Sequence, residues 1–185
     1  TGTFLMPLIS GARVVYHHNP LDAKTVAKLV RQYRLTTMLA TPTFLQLYLK
    51  RVAAEDFATL RYVIVGAEKL SEVLRVAFGE KFGVSPLEGY GATELSPLAI
   101  VNVEDFREGR YRQIGNKPGS VGHPIPGVAV KIVDPENFEV ELEDGTPGML
   151  LVKGPNVMQG YLGKDEETRK VLYQGWYVTG DIAAI

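Results

Sequence analysis

A mostly parallel α/β sheet flanked by helices, followed by a small β-rich, barrel-like lobe, is the architecture that these residues imply. Two features carry that reading. Through about residue 108, short apolar strands alternate with amphipathic helical stretches; beyond it, glycines and prolines crowd residues 109–127 and only short β-patterned segments follow. Strands interleaved with helices make βαβ units, whose parallel strands are covered on both faces. The expected division is residues 1–108 and residues 109–185.

The elements follow in order. Thr1-Gly2-Thr3-Phe4-Leu5-Met6-Pro7-Leu8-Ile9 reads as part of a helix or an apolar turn, and Ala12 to Tyr16 as a short β-branched strand. Asn19-Pro20 turns the chain, and Asp22 caps a helix whose Val26, Leu29, Val30 and Tyr33 recur at i, i+3, i+4 and i+7. Thr36 to Ala40 is the next strand. Pro42 suits the first turn of a helix that presents Leu45, Leu49 and Val52 on one face. Tyr62 to Val65 is an apolar strand, Ser71 caps a helix carrying Leu74, Phe78 and Phe82, and Pro86 to Tyr90 leads into a glycine turn. In the second region Val128–Val133 and Met149–Lys153 read as strands with the turn Asp144-Gly145 between them. A helix from Asp165 to Tyr173 and a strand around Tyr177 close it.

The turn Glu88-Gly89-Tyr90-Gly91-Ala92-Thr93-Glu94 carries the most chemistry. Gly89 and Gly91 allow backbone angles and close approaches that a side chain would forbid. Tyr90 offers a flat face to a purine. Thr93 can donate to a phosphate oxygen, and Glu94 can bind a hard cation that keeps waters and substrate oxygens. Residue types alone leave another reading open, a helix cap beside a solvated carboxylate. In parallel sheets ligands bind beyond the carboxyl ends of strands. Both this turn and Gly66-Ala67-Glu68 follow strands directly.

The turn resembles that of the adenylate-forming superfamily of acyl-CoA synthetases, luciferases and peptide-synthetase adenylation domains. So do, in the same order, Tyr62 to Leu70, Lys117-Pro118-Gly119-Ser120-Val121-Gly122 with Pro126-Gly127, Gly154-Pro155-Asn156-Val157-Met158-Gln159-Gly160-Tyr161, and Gly175-Trp176-Tyr177-Val178-Thr179-Gly180-Asp181. The resemblance covers nearly the whole chain. It implies an ATP/AMP site: residues 1–108 as a nucleotide-binding α/β subdomain, 109–185 as the lobe completing the adenosine site. Gly66, Ala67 and Glu68 would lie against one adenine face and Tyr90 the other, with Gly89 and Gly91 in the turn. Thr93 would contact phosphates, Glu94 would hold Mg2+, and Asp181 would accept both ribose hydroxyls. Thr93 and Glu94 are the catalytic candidates.

The reaction so implied joins a carboxylic acid to the α-phosphate of ATP, releases pyrophosphate, and passes the acyl group to a thiol. Peptide-synthetase domains carry Asn and Pro in the aromatic turn, where this chain has Gly89 and Ala92; that favours a fatty or other acyl acid. The blocks at 88–94 and 154–161 look most like bacterial long-chain acyl-acyl-carrier-protein synthetases, a group often fused to a lysophospholipid acyltransferase. Acyl carrier protein or CoA is the expected acceptor. In the family a phosphate loop precedes this region, and an arginine and a mobile C-terminal domain with a catalytic lysine follow it. The chain is read as an internal fragment, inactive by itself. An adenylation domain for an amino or aryl acid and a non-catalytic nucleotide-binding module are the alternatives.

Bulk properties narrow the field. A net charge of -1 argues against nucleic acid as the main partner. The absence of cysteine removes disulfides, thiolate catalysis and cysteine metal sites, and fits a cytoplasmic address. No apolar stretch approaches a membrane span of roughly 18 residues, though a full-length protein of this kind could associate with membranes. Adjacent His17 and His18 would point to opposite faces of a strand and are assigned no chemistry; His123 reads as structural. Trp176 reads as core packing between lobes, Lys117–Gly122 as backbone architecture, and Asp165-Glu166-Glu167 as a helix N-terminus. Thr41–Leu49 either lines an acyl tunnel or packs an ordinary core.

Overall fold

The computed structural model describes residues 4–185, so Thr1, Gly2 and Thr3 of the opening segment lie outside the described residues. Its contacts group into two compact units. One comprises residues up to Tyr90 together with Ile100–His123, the other Gly91–Ala99 together with Pro124–Ile185. The chain therefore leaves the first unit at the aromatic turn, contributes nine residues to the second, and returns.

The first unit runs α1 (Leu5–Ile9), α2 (Ala23–Tyr33), β1 (Thr37–Ala40), α3 (Pro42–Arg51), β2 (Tyr62–Val65), α4 (Glu72–Phe82), β3 (Leu87–Tyr90), β4 (Ile100–Val101), β5 (Phe106–Glu108) and β6 (Tyr111–Gln113), and ends within β7 (His123–Pro124). The main sheet has the order β1-β2-β3-β4-β7. β1, β2 and β3 run parallel, as the alternation with helices predicts, and β4 is antiparallel to β3. Local signals end the helices where expected. Asp22 accepts from the Thr25 N–H at 3.1 Å, Ser71 accepts from Leu74 N–H at 3.3 Å, and Pro42 occupies the first turn of α3.

The core of this unit forms between α2, α3 and α4 on the sheet. Phe57, Phe78 and Phe82 meet at its centre, with Phe78 and Phe82 ring centroids 4.5 Å apart. Phe57 reaches it from a one-turn 3-10 helix, Ala54–Phe57. Leu45 and Tyr48 are buried in this cluster and Leu49 packs against it, so the apolar stretch Thr41–Leu49 serves the core.

Two local expectations are corrected. Ala12–Tyr16 forms no strand: among the described residues nothing lies beside it to complete a ladder, and the sheet ends at β1. In α2 Val30 is buried and Val26 packs against the core as expected, but Ala23 and Ala27 complete the buried line and Tyr33 is exposed. Two alanines let the helix approach closely, and Arg34 in the left-handed region ends it just after Tyr33.

In the second unit β8 (Ala129–Val133), β9 (Gly148–Lys153), α5 (Asp165–Val171), β10 (Leu172–Tyr173) and β11 (Trp176–Ala183) follow. The strands form an antiparallel sheet, β10-β11-β9-β8. The expected helix 165–173 stops at Val171, because Leu172 and Tyr173 pair with β11 instead. Trp176 does not pack as a core residue. It is half-buried, with Lys131 Nζ 4.9 Å and Lys153 Nζ 5.6 Å from its ring. No helix among the described residues is long and apolar enough to cross a membrane.

Candidate functional site

In the first unit β2 ends at Val65 and the chain turns through Gly66-Ala67-Glu68. Ala67 has φ 68°, in the left-handed region that alanine enters at a cost of about 1 kcal/mol. Two contacts hold it there. The Gly66 N–H donates to Ala40 O at 3.4 Å, and Glu68 Oε2 accepts from the Thr43 hydroxyl, in the first turn of α3, at 2.7 Å. A Cβ at Gly66 would lie 3.3 Å from Gly89 O, so the two glycine-bearing turns abut. Tyr90, half-buried at the end of β3, pairs with Ile100 of β4.

The second unit receives the rest of the turn. A Cβ at Gly91 would fall 1.8 Å from Pro97 O, so glycine is demanded here by the way Gly91–Ala99 folds on itself. Thr93–Leu95 makes one 3-10 turn whose cap position is Ala92, with no side-chain cap bond. Thr93 is therefore not the cap, and its side chain is exposed; Leu95 is fully buried. The segment Gly154–Tyr161 clasps this turn. The Asn156 Nδ2 amide donates to Leu95 O and Leu98 O, both at 3.0 Å, and Met158 N–H donates to Glu94 O at 2.8 Å.

Glu94 is the electrostatic centre. The Tyr161 hydroxyl, 67 positions away, donates to its Oε1 at 2.6 Å. That bond, with smaller help from Glu94's own N–H and the Tyr177 hydroxyl, holds the carboxyl below the usual glutamate range. The same bond pushes Tyr161 up to about 12. Tyr177 is raised first by burial, then by the charges of Glu94 and Asp181. Both carboxylates thus lie within electrostatic reach of one hydroxyl, although far apart in sequence.

A break in the β9–β11 register between Val178 and Ile182 presents Asp181. Irregularities of this kind re-aim side chains at sheet edges. The Asp181 N–H donates to Thr179 Oγ1 at 3.0 Å, and the Thr179 hydroxyl donates to Leu150 O at 2.9 Å. The Asp181 side chain is on the exposed surface.

Of the predicted site residues, Gly66, Ala67, Glu68, Gly89 and Tyr90 belong to the first unit, and Gly91, Thr93, Glu94 and Asp181 to the second. Tyr161, Tyr177 and Asn156 join the site only through contacts formed in the fold. The available signal was chemical: a half-buried tyrosine beside glycines needs a partner for its hydroxyl.

Among the described residues no group of three or more His, Cys, Asp or Glu gathers in a form that could hold a metal. One ionised carboxylate is, however, the donor set that a hard cation keeping its waters and substrate oxygens requires, and Glu94 fits it. The His17 and His18 rings are 4.8 Å apart, so they do not point to opposite faces: the segment is not a strand. His17 Nε2 lies 3.7 Å from Asp22 Oδ2. The stretch Lys117–Gly122 is organised by buried Asn102. Its Oδ1 accepts from Lys117 N–H at 2.9 Å and its Nδ2 donates to Ser120 O at 2.7 Å.

Residues 1–162 match the family model for the AMP-binding enzyme. The chain is 34% identical over 177 residues to a long-chain-fatty-acid–CoA ligase of Yersinia pestis, covering 95% of this chain and 30% of that one. It is 30% identical over 186 residues to a feruloyl-CoA synthase of an Amycolatopsis species, covering 100% of this chain and 36% of that one. The crystal structure of ATP-bound MatB from Rhodopseudomonas palustris superposes with a TM-score of 0.82 at 30% identity, over 97% of this chain and 34% of that one. The chain thus spans about a third of the length of these relatives. Matched along most of its length by that model and folded like these enzymes, the chain belongs to the AMP-binding enzyme family.

Proposed function

We propose that this chain carries the adenosine- and magnesium-facing part of an ATP-dependent, AMP-forming acid–thiol ligase. The observation that carries the reading is Glu94, kept ionised by the Tyr161 hydroxyl in a neighbourhood shared with Asp181. Bound Mg2+ would neutralise phosphate charge, which is the main obstacle to bringing a carboxylate against ATP.

The residues divide the remaining work. Gly66, Ala67 and Glu68 supply the turn that faces the adenine, and Tyr90 an aromatic face. Gly89 and Gly91 keep the turn between them narrow. Thr93 donates its hydroxyl to a phosphate oxygen. Glu94 offers an oxygen to the cation, and Asp181 accepts from the ribose hydroxyls. In the reaction a substrate carboxylate oxygen bonds to the α-phosphorus while the bond to the bridging oxygen breaks, so pyrophosphate leaves. A thiolate sulfur then attacks the acyl carbon and AMP leaves.

A long-chain fatty acid is the proposed substrate, supported by the similarity to the long-chain-fatty-acid–CoA ligase of Yersinia pestis. CoA or acyl carrier protein is the proposed acceptor, with onward transfer to a lysophospholipid as its most specialised form. An aryl acid is the second reading, supported by the feruloyl-CoA synthase relative. Pyrophosphate release by the full-length protein, assayed across long-chain, aryl and amino acids, separates them. Glu94→Gln should cut adenylation by roughly a hundredfold or more. Undiminished adenylation in that variant would remove Glu94 from the mechanism.

A further inference from the structure

Residues 105–117 form a feature that the ligase reading leaves unused. Among the described residues β5 and β6 pair only with each other, and every residue of both strands is exposed. An isolated two-stranded ribbon is marginal in water, so its base must hold it. There the Asp105 carboxylate accepts from the N–H groups of Gly115 at 2.9 Å and Asn116 at 3.2 Å, and Val103 N–H donates to Gly115 O at 3.1 Å. A Cβ at Gly115 would fall 2.7 Å from Val103 Cγ2. The base is tight while the strands project.

The register sets Arg107 directly opposite Arg112. Like charges so opposed destabilise a ladder, which makes the pair costly unless an anion lies across it. Asp105, which both guanidiniums affect, is already accepting two amides. Arg110, at the turn, stands 5.5 Å over the Tyr111 ring. Phe106, Tyr111 and Ile114 are 52%, 65% and 57% exposed. Alternation along the strands puts the opposed arginines on one face and Phe106, Glu108, Tyr111 and Gln113 on the other.

We infer that this ribbon docks on an anionic lipid surface. Arg107 and Arg112 donate to headgroup phosphates in the forked geometry that guanidinium allows, and Phe106, Tyr111 and Ile114 enter the interfacial layer. The opposed arginines call for anions across them, and a layer of headgroup phosphates supplies several at once. An interfacial layer surrounds the ribbon and accepts arginines and aromatics together. The inference stands apart from the ligase reading, because it uses none of the proposed site residues.

The test is co-sedimentation of the full-length protein with vesicles of phosphatidylcholine alone or mixed with an equal share of phosphatidylglycerol. Binding is expected only to the mixed vesicles and should fall as salt rises. Each arginine removed should weaken it about fivefold, so Arg107→Gln with Arg112→Gln together lose roughly twenty-five-fold. Glu108→Lys should strengthen it, which keeps the test decisive if the double variant folds poorly. Equal binding to neutral vesicles, no binding at all (as when another segment or a protein covers the ribbon), or variants that bind like the parent would each overturn the inference.

Discussion

Replacing Gly91 by alanine drives a methyl group into the backbone of its own turn. The new carbon would sit 1.8 Å from Pro97 O, 2.8 Å from Pro97 C and 3.0 Å from Leu98 Cα. Ordinary contacts need about 3.5 Å, and these neighbours are main-chain atoms that cannot rotate away. The 97–98 segment must therefore retreat by well over an ångström. Retreat strains the two bonds from the Asn156 amide to Leu95 O and Leu98 O and loosens fully buried Leu95. Overpacking costs roughly 1–3 kcal/mol and two weakened hydrogen bonds about 1 kcal/mol each, which together make about 3–5 kcal/mol. For a folded region of this size that is a fall in Tm of roughly 6–20 °C, read by scanning calorimetry on the full-length protein. Gly145→Ala is the control: its φ is 85° but nothing lies within 4 Å of the added carbon, so only the backbone penalty of about 1 kcal/mol applies. If Gly91→Ala proves as mild as Gly145→Ala, the account of this turn is wrong.

Phe78 is fully buried between Phe57 and Phe82, and Phe78→Ala should cost about 3–5 kcal/mol. A urea midpoint within error of the parent would refute that packing. The Tyr161–Glu94 bond makes stability depend on pH at both ends. The raised tyrosine contributes fully below its ordinary value of 10.0, and the contribution is lost as pH climbs towards about 12. The depressed glutamate contributes above its ordinary 4.5 and stops contributing as pH falls through its lower folded value. Tyr161→Phe should abolish the most alkaline phenolate step in the ultraviolet titration and let the Glu94 carboxyl carbon titrate at higher pH by NMR; an unmoved Glu94 titration would contradict the bond. Asp181→Ala should weaken ATP binding by roughly ten- to a hundredfold in isothermal titration, as expected for losing a charged acceptor. Equal affinity would count against its ribose role.

Features written in neighbouring residues were legible in advance. Asp22, Pro42 and Ser71 start helices because a cap or a first-turn proline needs only the next few positions. The parallel order of β1, β2 and β3 follows from the helices between them. What escaped depends on contacts formed at a distance. The inward face of α2 turns towards Ala23 and Ala27 because small residues approach the core closely, a preference that a hydrophobicity pattern scores below Val26, Leu29 and Tyr33. Leu172 and Tyr173 leave the helix for a strand because β11 folds back to meet them.

The candidate site divides the same way. Gly66–Glu68, Gly89–Glu94 and Asp181 stand out by residue type and order. The hydroxyl that governs Glu94 arrives from 67 positions away, and nothing at Tyr161 itself names its partner. At Gly91 the missing side chain matters as its residue type suggests, but the space is filled by Pro97 of its own loop.

Ala67 has a consequence for anyone engineering this protein. Glycine would rest in that backbone shape at ease, so screens for heat resistance should drift towards glycine there. A methyl group, unlike a hydrogen, gives the turn a hard edge of defined shape. Selection for durability and selection for recognition should therefore pull this position in opposite directions, and the residue recovered would report which pressure had been applied.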